Sequence, residues 1–250
     1  MPSEEPETMP DRPNLVLAMD TSGDICSIAI LRGGALMAEH AFRHEMHLSE
    51  RLIGNVDGLL RGMGATLDSI EAFAVGLGPG SFTGARIGVM TMKTFAVMRG
   101  KPIMTVNGLE AMAAEYCGLP ETIVVPVLAC RAGIVYACPY LVADQDPEPL
   151  AAAAAFSFAE LGSLLQSLSA RTVVFCGPAA ARYTQELRGV LENSGRQSSF
   201  GTVEFPRAST VGRLGLRRLA TGGPLPEALE IVPLYISPPP ITLPKQLIPS

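Results

Sequence analysis

The sequence predicts an α/β protein built from mixed sheets flanked by helices, and three observations carry that expectation. Short runs of aliphatic residues bounded by glycine turns alternate with longer stretches whose apolar residues recur at helical spacing. The chain opens with three strands before its first helix, giving the order βββαβαβα. A mixed sheet accommodates that order, because the meander pairs antiparallel and the later strands return through helical crossovers. Composition agrees: 250 residues at 48% hydrophobic and 17% charged supply a large core, while 6% aromatic and no Trp speak against a Tyr-rich sandwich.

The first strand is Leu15–Asp20, an apolar run ending in the turn Thr21-Ser22-Gly23-Asp24. Residues 25–31 and 35–42 supply the next two strands, joined at Gly33-Gly34. Leu48, Leu52, Ile53, Val56, Leu59, Leu60 and Met63 then recur on one helix face, so residues 48–63 form an amphipathic helix. Residues 71–77 read as a buried strand, GPGSFTG at 78–84 as a loop, and 84–99 as a second helix. A strand at 102–106 and a helix at 107–117 follow, with Asn107 as the helix cap.

A second series starts near Thr122. Residues 123–130 and 133–143 read as a hairpin around Arg131-Ala132, and helices at 156–168 and 179–193 flank the strand Thr172–Cys176. Residues 208–221 give a last helix and 229–236 an extended stretch within a Pro-rich end. Residues 143–155, with Pro147, Pro149 and five alanines, fix no element. Both halves open with a hairpin and continue into helices, as a duplicated fold would.

A net charge of −5 argues against independent nucleic-acid binding, which needs many Lys and Arg contacts to phosphate, so any role with RNA is indirect. Cys26, Cys117, Cys130, Cys138 and Cys176 are odd in number and widely spaced, the pattern of buried thiols in a reducing cytoplasm. The acidic, Pro-rich start has neither a basic region nor an apolar one and reads as a frayed tail, not a signal peptide or membrane anchor. No window is apolar enough to span a bilayer.

Generic catalytic motifs fail. GPGSFTG lacks the Gly-Lys-Ser/Thr of a Walker loop, and Gly76-x-Gly78 lacks the third glycine of a dinucleotide fingerprint. Its Pro79 between glycines fixes a bend, Ser81 or Thr83 can cap the following helix, and free amides there suit an anion. His44 and His47 are three apart, but no third ligand is evident, so no metal site is assigned. Ser22, His47 and Asp20 can be written as a triad, yet no nucleophile elbow supports a hydrolase.

The helix at 84–99 is apolar nearly all round, with Ala85, Ile87, Val89, Met90, Met92, Phe95, Ala96, Val97 and Met98 against only Arg86, Lys93 and Arg99. Such a helix is either fully buried or keeps a second face for another protein. Paired with the preceding helix, it suits a small four-helix interface, whose expected residues are Leu52, Val56, Leu59, Met63, Arg86, Val89, Met90, Lys93 and Val97.

Two segments resemble the TsaB (YeaZ) family. These are Leu15-Val16-Leu17-Ala18-Met19-Asp20-Thr21-Ser22 with Cys26-Ser27-Ile28-Ala29, and Gly78-Pro79-Gly80-Ser81-Phe82-Thr83-Gly84-Ala85-Arg86-Ile87-Gly88. His47 with Leu52 and Val106-Asn107-Gly108-Leu109-Glu110-Ala111 extend the likeness over about residues 15–117. Two later places depart from the pattern: Cys130 stands where the family has Asp, and Pro233-Leu234-Tyr235-Ile236-Ser237 lacks the family's Arg.

The resemblance implies two actin-like (ASKHA, RNase H-like) lobes at 13–118 and 119–236, between tails at 1–12 and 237–250. It also implies a non-catalytic subunit that binds TsaD, the threonylcarbamoyltransferase acting next to the tRNA anticodon, with a TsaE-type ATPase joining some complexes. A homodimer through the same helices is expected for the isolated chain, and no cofactor. In nucleotide-using relatives of this fold a turn like the one at Asp20 approaches phosphates, which makes Asp20, Thr21, Ser22, Gly80 and Ser81 the candidates for a residual cofactor site. A phosphotransferase using Asp20 is therefore the alternative, and a peptidase a weaker one.

Overall fold

A computed structural model describes residues 14–45, 47–144, 146–169, 172–192 and 196–236. The frayed start and the end beyond 236 expected above lie outside the described residues.

The first sheet is formed by β1 (Leu15–Asp20), β2 (Ile25–Arg32), β3 (Ala35–Arg43), β4 (Ala72–Gly76) and β5 (Ile103–Val106), in the order β3-β2-β1-β4-β5. The first three strands pair antiparallel, while β1, β4 and β5 run parallel. Between them lie α1 (Leu48–Gly62) and α2 (Phe82–Arg99), and α3 (Gly108–Ala114) follows β5.

The second sheet is built from β6 (Thr122–Arg131), β7 (Ile134–Ala137), β10 (Ala154–Ser157), β11 (Thr172–Cys176) and β12 (Gln197–Phe200), in the order β10-β7-β6-β11-β12. The short strands β8 (Tyr140–Leu141) and β9 (Glu148–Pro149) attach beside β6. Its pairing repeats the first sheet's, with β6, β7 and β10 antiparallel and β6, β11 and β12 parallel. The duplication inferred from the two opening hairpins is therefore present strand for strand. Helices α4 (Phe158–Ser167), α5 (Pro178–Arg182), α6 (Thr184–Val190) and α7 (Ala208–Ala220) complete the second half.

β1 is buried along its whole length because both faces of its sheet are covered. Leu15, Leu17 and Met19 face α1 and α2, and Val16 and Ala18 face α7. The second sheet behaves alike: Ile123, Val125 and Val127 pack against Leu161, Leu165 and Leu187 of α4 and α6, and Val124 packs against Leu109 and Met112 of α3. The helices thus cross over. α3, from the first half of the chain, packs on the second sheet, and α7, from the second half, packs on the first. Small residues permit the close approach of α7, since a side-chain carbon on Gly212 would lie 2.5 Å from the Leu31 side chain.

Several elements differ from expectation. The strand expected at 133–143 is cut at Cys138-Pro139, because Pro139 has no N–H to continue the ladder, and the chain resumes as β8 on the same edge of β6 and in the same register. The helix expected at 179–193 is two helices that break at Tyr183. Within 143–155 the chain forms β9 and begins β10, and α4 starts at 158 instead of 156. Ser157 caps α4 in a reciprocal box with Glu160. Residues 229–236 hold a 3₁₀ turn (Ala228–Glu230) and no paired strand.

Candidate functional site

The turn after β1 is sealed. Asp20, Thr21 and Ser22 are buried, with Asp20 at 0% exposure. Asp20 Oδ1 accepts from the Ser22 backbone N–H at 2.9 Å and from the Ser22 hydroxyl at 2.8 Å, so the carboxylate braces its own turn. Its other oxygen, Oδ2, has no hydrogen-bond partner among the described residues. Burial outweighs the two Ser22 hydrogen bonds and pushes the Asp20 pKa up to about 6. The Thr21 hydroxyl donates to the Gly84 carbonyl at 2.7 Å.

Four glycines spaced by four residues close around this turn. A side-chain carbon on Gly76 would lie 1.9 Å from Asp20 Oδ2, on Gly80 2.1 Å from the Ser22 carbonyl oxygen, on Gly84 2.3 Å from the Thr21 carbonyl oxygen, and on Gly88 2.0 Å from Thr21 Oγ1. The Ser81 N–H donates to the Ser22 carbonyl at 2.6 Å, and the Ser81 hydroxyl caps α2 by accepting from Gly84 N–H at 3.1 Å. The glycines of the GPGSFTG loop therefore let helix and turn pack backbone to backbone. Sequence reading named the loop and the turn but not this contact, and the four-residue glycine spacing was the signal for it. All five residues offered as a residual cofactor site, Asp20, Thr21, Ser22, Gly80 and Ser81, belong to this contact. Ser22, Gly80 and Ser81 also line a cleft of about 450 Å³ between the two halves, whose wall includes Arg43, Arg182 and Glu204.

The histidines serve separate local roles. His44 Nε2 lies 3.0 Å from the Gly23 carbonyl oxygen, and His47 Nδ1 lies 3.2 Å from Glu50 Oε2. Ser22 bonds to Asp20 while His47 turns to Glu50, so the paper triad is not assembled. Among the described residues no group of three His, Cys, Asp or Glu could hold a metal ion.

Helix α2 has two faces. Gly84, Ala85, Gly88, Val89, Met92 and Ala96 are buried against the first sheet. On the opposite side Met90 is 57% and Val97 50% exposed, with Arg86 and Met98 also exposed. Residues 86, 90, 93 and 97 fall on one line of the helix. The interface expected from sequence needs correcting at three positions: Leu52, Val56 and Val89 are buried in the core and have no surface to offer a partner. Leu59 and Met63 are half-buried against that core. The heptad-like spacing on α1 marks the stripe that seats the helix on the sheet, and its exposed apolar residue is Ile53.

The chain is 30% identical over 220 residues to the tRNA threonylcarbamoyladenosine biosynthesis protein TsaB of Bacillus subtilis (strain 168), covering 86% of this chain and 94% of that protein. It belongs to the TsaB (YeaZ) family. The family model for TsaD, tRNA N6-adenosine threonylcarbamoyltransferase, matches residues 42–187. A threonylcarbamoyltransferase of Methylorubrum extorquens (strain PA1) is 40% identical over 80 residues, 32% of this chain and 22% of that enzyme. This TsaB-family chain also superposes on the structure of YeaZ from Pseudomonas aeruginosa with a TM-score of 0.71 at 23% identity, covering 89% of this chain and 99% of that one, which supports the fold. Membership ties the chain to threonylcarbamoyladenosine biosynthesis and to the actin-like fold. None of its helices, among the described residues, is long and apolar enough to cross a membrane.

Proposed function

We propose that this chain is a non-catalytic subunit that binds and activates a TsaD-type threonylcarbamoyltransferase during formation of threonylcarbamoyladenosine next to the tRNA anticodon. The observation that carries the reading is the exposed side of α2, where Arg86, Met90 and Val97 share one line and Met98 is exposed as well, while Ile53 is exposed on the neighbouring α1. Exposed apolar side chains on two neighbouring helices suit a protein partner, and methionines adapt to its contour. The interface is accordingly narrowed from the sequence expectation to Ile53, Arg86, Met90, Val97 and Met98, with Leu59 and Met63 at its edge.

The sealed turn supports an accessory role. A phosphotransferase needs its Asp open to a metal–nucleotide complex, whereas Asp20 is wholly buried beneath Gly76 and braced by Ser22. The net charge of −5 favours tRNA contact through the partner. Five free cysteines suit a reducing cytoplasm. The two lobes at 13–118 and 119–236 exchange helices, α3 onto the second sheet and α7 onto the first, and the first lobe presents the α1–α2 face. A TsaE-type ATPase joins the assembled pair, and the same face supports a homodimer when the partner is absent.

The test mixes the chain with the TsaD-type protein of its own organism and measures complex mass by light scattering. A one-to-one complex is expected, and Met90→Asp with Val97→Asp abolishes it while the melting temperature stays. Assembly undiminished by those two substitutions overturns the reading.

A further inference from the structure

Helix α2 carries a later segment of its own chain along its flank. After the 3₁₀ turn Ala228–Glu230, residues 231–236 run beside the helix without forming a strand. Lys93 Nζ donates to the Leu229 carbonyl and to the Ile231 carbonyl, both at 2.8 Å. Ile231 is buried in the core shared by α1 and α2. Further on, Leu234 N–H donates to the Leu77 carbonyl at 2.8 Å, and the Tyr235 ring lies 4.9 Å from the ring of Phe82. The segment therefore travels from the middle of α2 to its first turn. The eleven residue-to-residue steps of helix from 93 back to 82 rise about 16 Å, a span that the six steps from 229 to 235 cover when nearly extended.

Such a fixed path is costly for an irregular segment, because each ordered residue loses about 1–2 kcal/mol of backbone entropy. Yet two of its side chains point away from the anchors: Leu229 is 75% and Val232 64% exposed. Polar residues would serve equally well in a segment that only had to close the core. The exposed pair lies beside Lys93, and Lys93 sits one turn from both Met90 and Val97 on the helix line. The apolar surface of α2 thus continues onto the strap.

We propose that Lys93 is a positioning residue that latches the strap at 228–236 along α2, so that Leu229 and Val232 form part of the surface that receives the TsaD-type partner. The inference rests on the reading given under Proposed function and assigns Lys93 a role different from direct contact. The ammonium group spends two of its three donors on carbonyls of its own chain, which fixes where the two exposed apolar side chains stand.

The test is a double-mutant cycle read as the dissociation constant for the TsaD-type protein, with melting temperature as the folding control. Leu229→Asp with Val232→Asp is expected to weaken binding about tenfold or more, as loss of a buried apolar anchor does. Lys93→Met is expected to weaken binding several-fold in the native background, to add nothing once Leu229 and Val232 are replaced, and to be rescued by Lys93→Arg. An equal loss from Lys93→Met in both backgrounds makes Lys93 a direct contact and overturns the positioning role. Unchanged affinity in the Leu229/Val232 variant, with assembly still lost on Met90→Asp and Val97→Asp, overturns the strap while leaving the functional reading intact. Insensitivity to both pairs of substitutions sinks the two together.

Discussion

Replacing Asp20 by Asn should flatten part of the chain's stability–pH profile. The carboxyl is wholly buried, and burial raises its pKa from 3.8 to about 6 against the opposing pull of two Ser22 hydrogen bonds. A group whose pKa is higher in the folded than in the unfolded chain favours folding when protonated. Its contribution is fully present below the unfolded value and is lost as pH rises through the folded value. For Asp20 the loss runs from 3.8 to about 6. A displacement of roughly two pKa units corresponds to about 3 kcal/mol at 1.36 kcal/mol per unit. Asn keeps the acceptor for Ser22 and carries no charge. Urea unfolding of both proteins at about pH 3.5 and pH 7.5 should therefore show the Asn variant gaining about 3 kcal/mol relative to the parent across that interval. A difference that stays constant with pH would refute the sealed-carboxyl account and put Asp20 in contact with solvent or a counter-charge.

Two further substitutions test stability, one at the sealed turn and one at the cap of α4. Gly88→Ala places a carbon 2.0 Å from Thr21 Oγ1, a buried hydroxyl already committed to the Gly84 carbonyl, and should cost about 1–3 kcal/mol by denaturant titration, as overpacking does. Ser157→Ala removes the reciprocal cap of α4 and should cost about 1 kcal/mol in the same assay, with no effect on partner binding.

Much of the first half was legible because its signals are local. Leu15–Asp20 announces itself as a strand covered on both faces, and Asn107 caps α3 as its side chain allows, accepting from Leu109 N–H at 2.9 Å. The site was less legible because its decisive contacts join distant segments. The glycines at 76, 80, 84 and 88 match no phosphate motif, and their purpose shows only once Thr21, 63 residues before Gly84, is seen to lie against them. On α1 and α2 periodicity reveals apolar stripes but does not say which stripe meets the sheet, so Leu52, Val56 and Val89 were assigned outward although they pack inward. The strand Gln197–Phe200 has no apolar alternation to betray it, since it is an edge held to β11 through its backbone. The path of residues 228–236 depends on a lysine more than 130 residues away, a pairing that pattern does not disclose.

The most direct measurement is threonylcarbamoyladenosine formation on tRNA, reconstituted with the TsaD-type enzyme and a supply of threonylcarbamoyl donor. Addition of the native chain or of Asp20→Asn should raise the rate alike, while Met90→Asp with Val97→Asp should leave it at the level of the enzyme alone. Activity lost with Asp20→Asn and retained with the charged α2 variant would contradict the account.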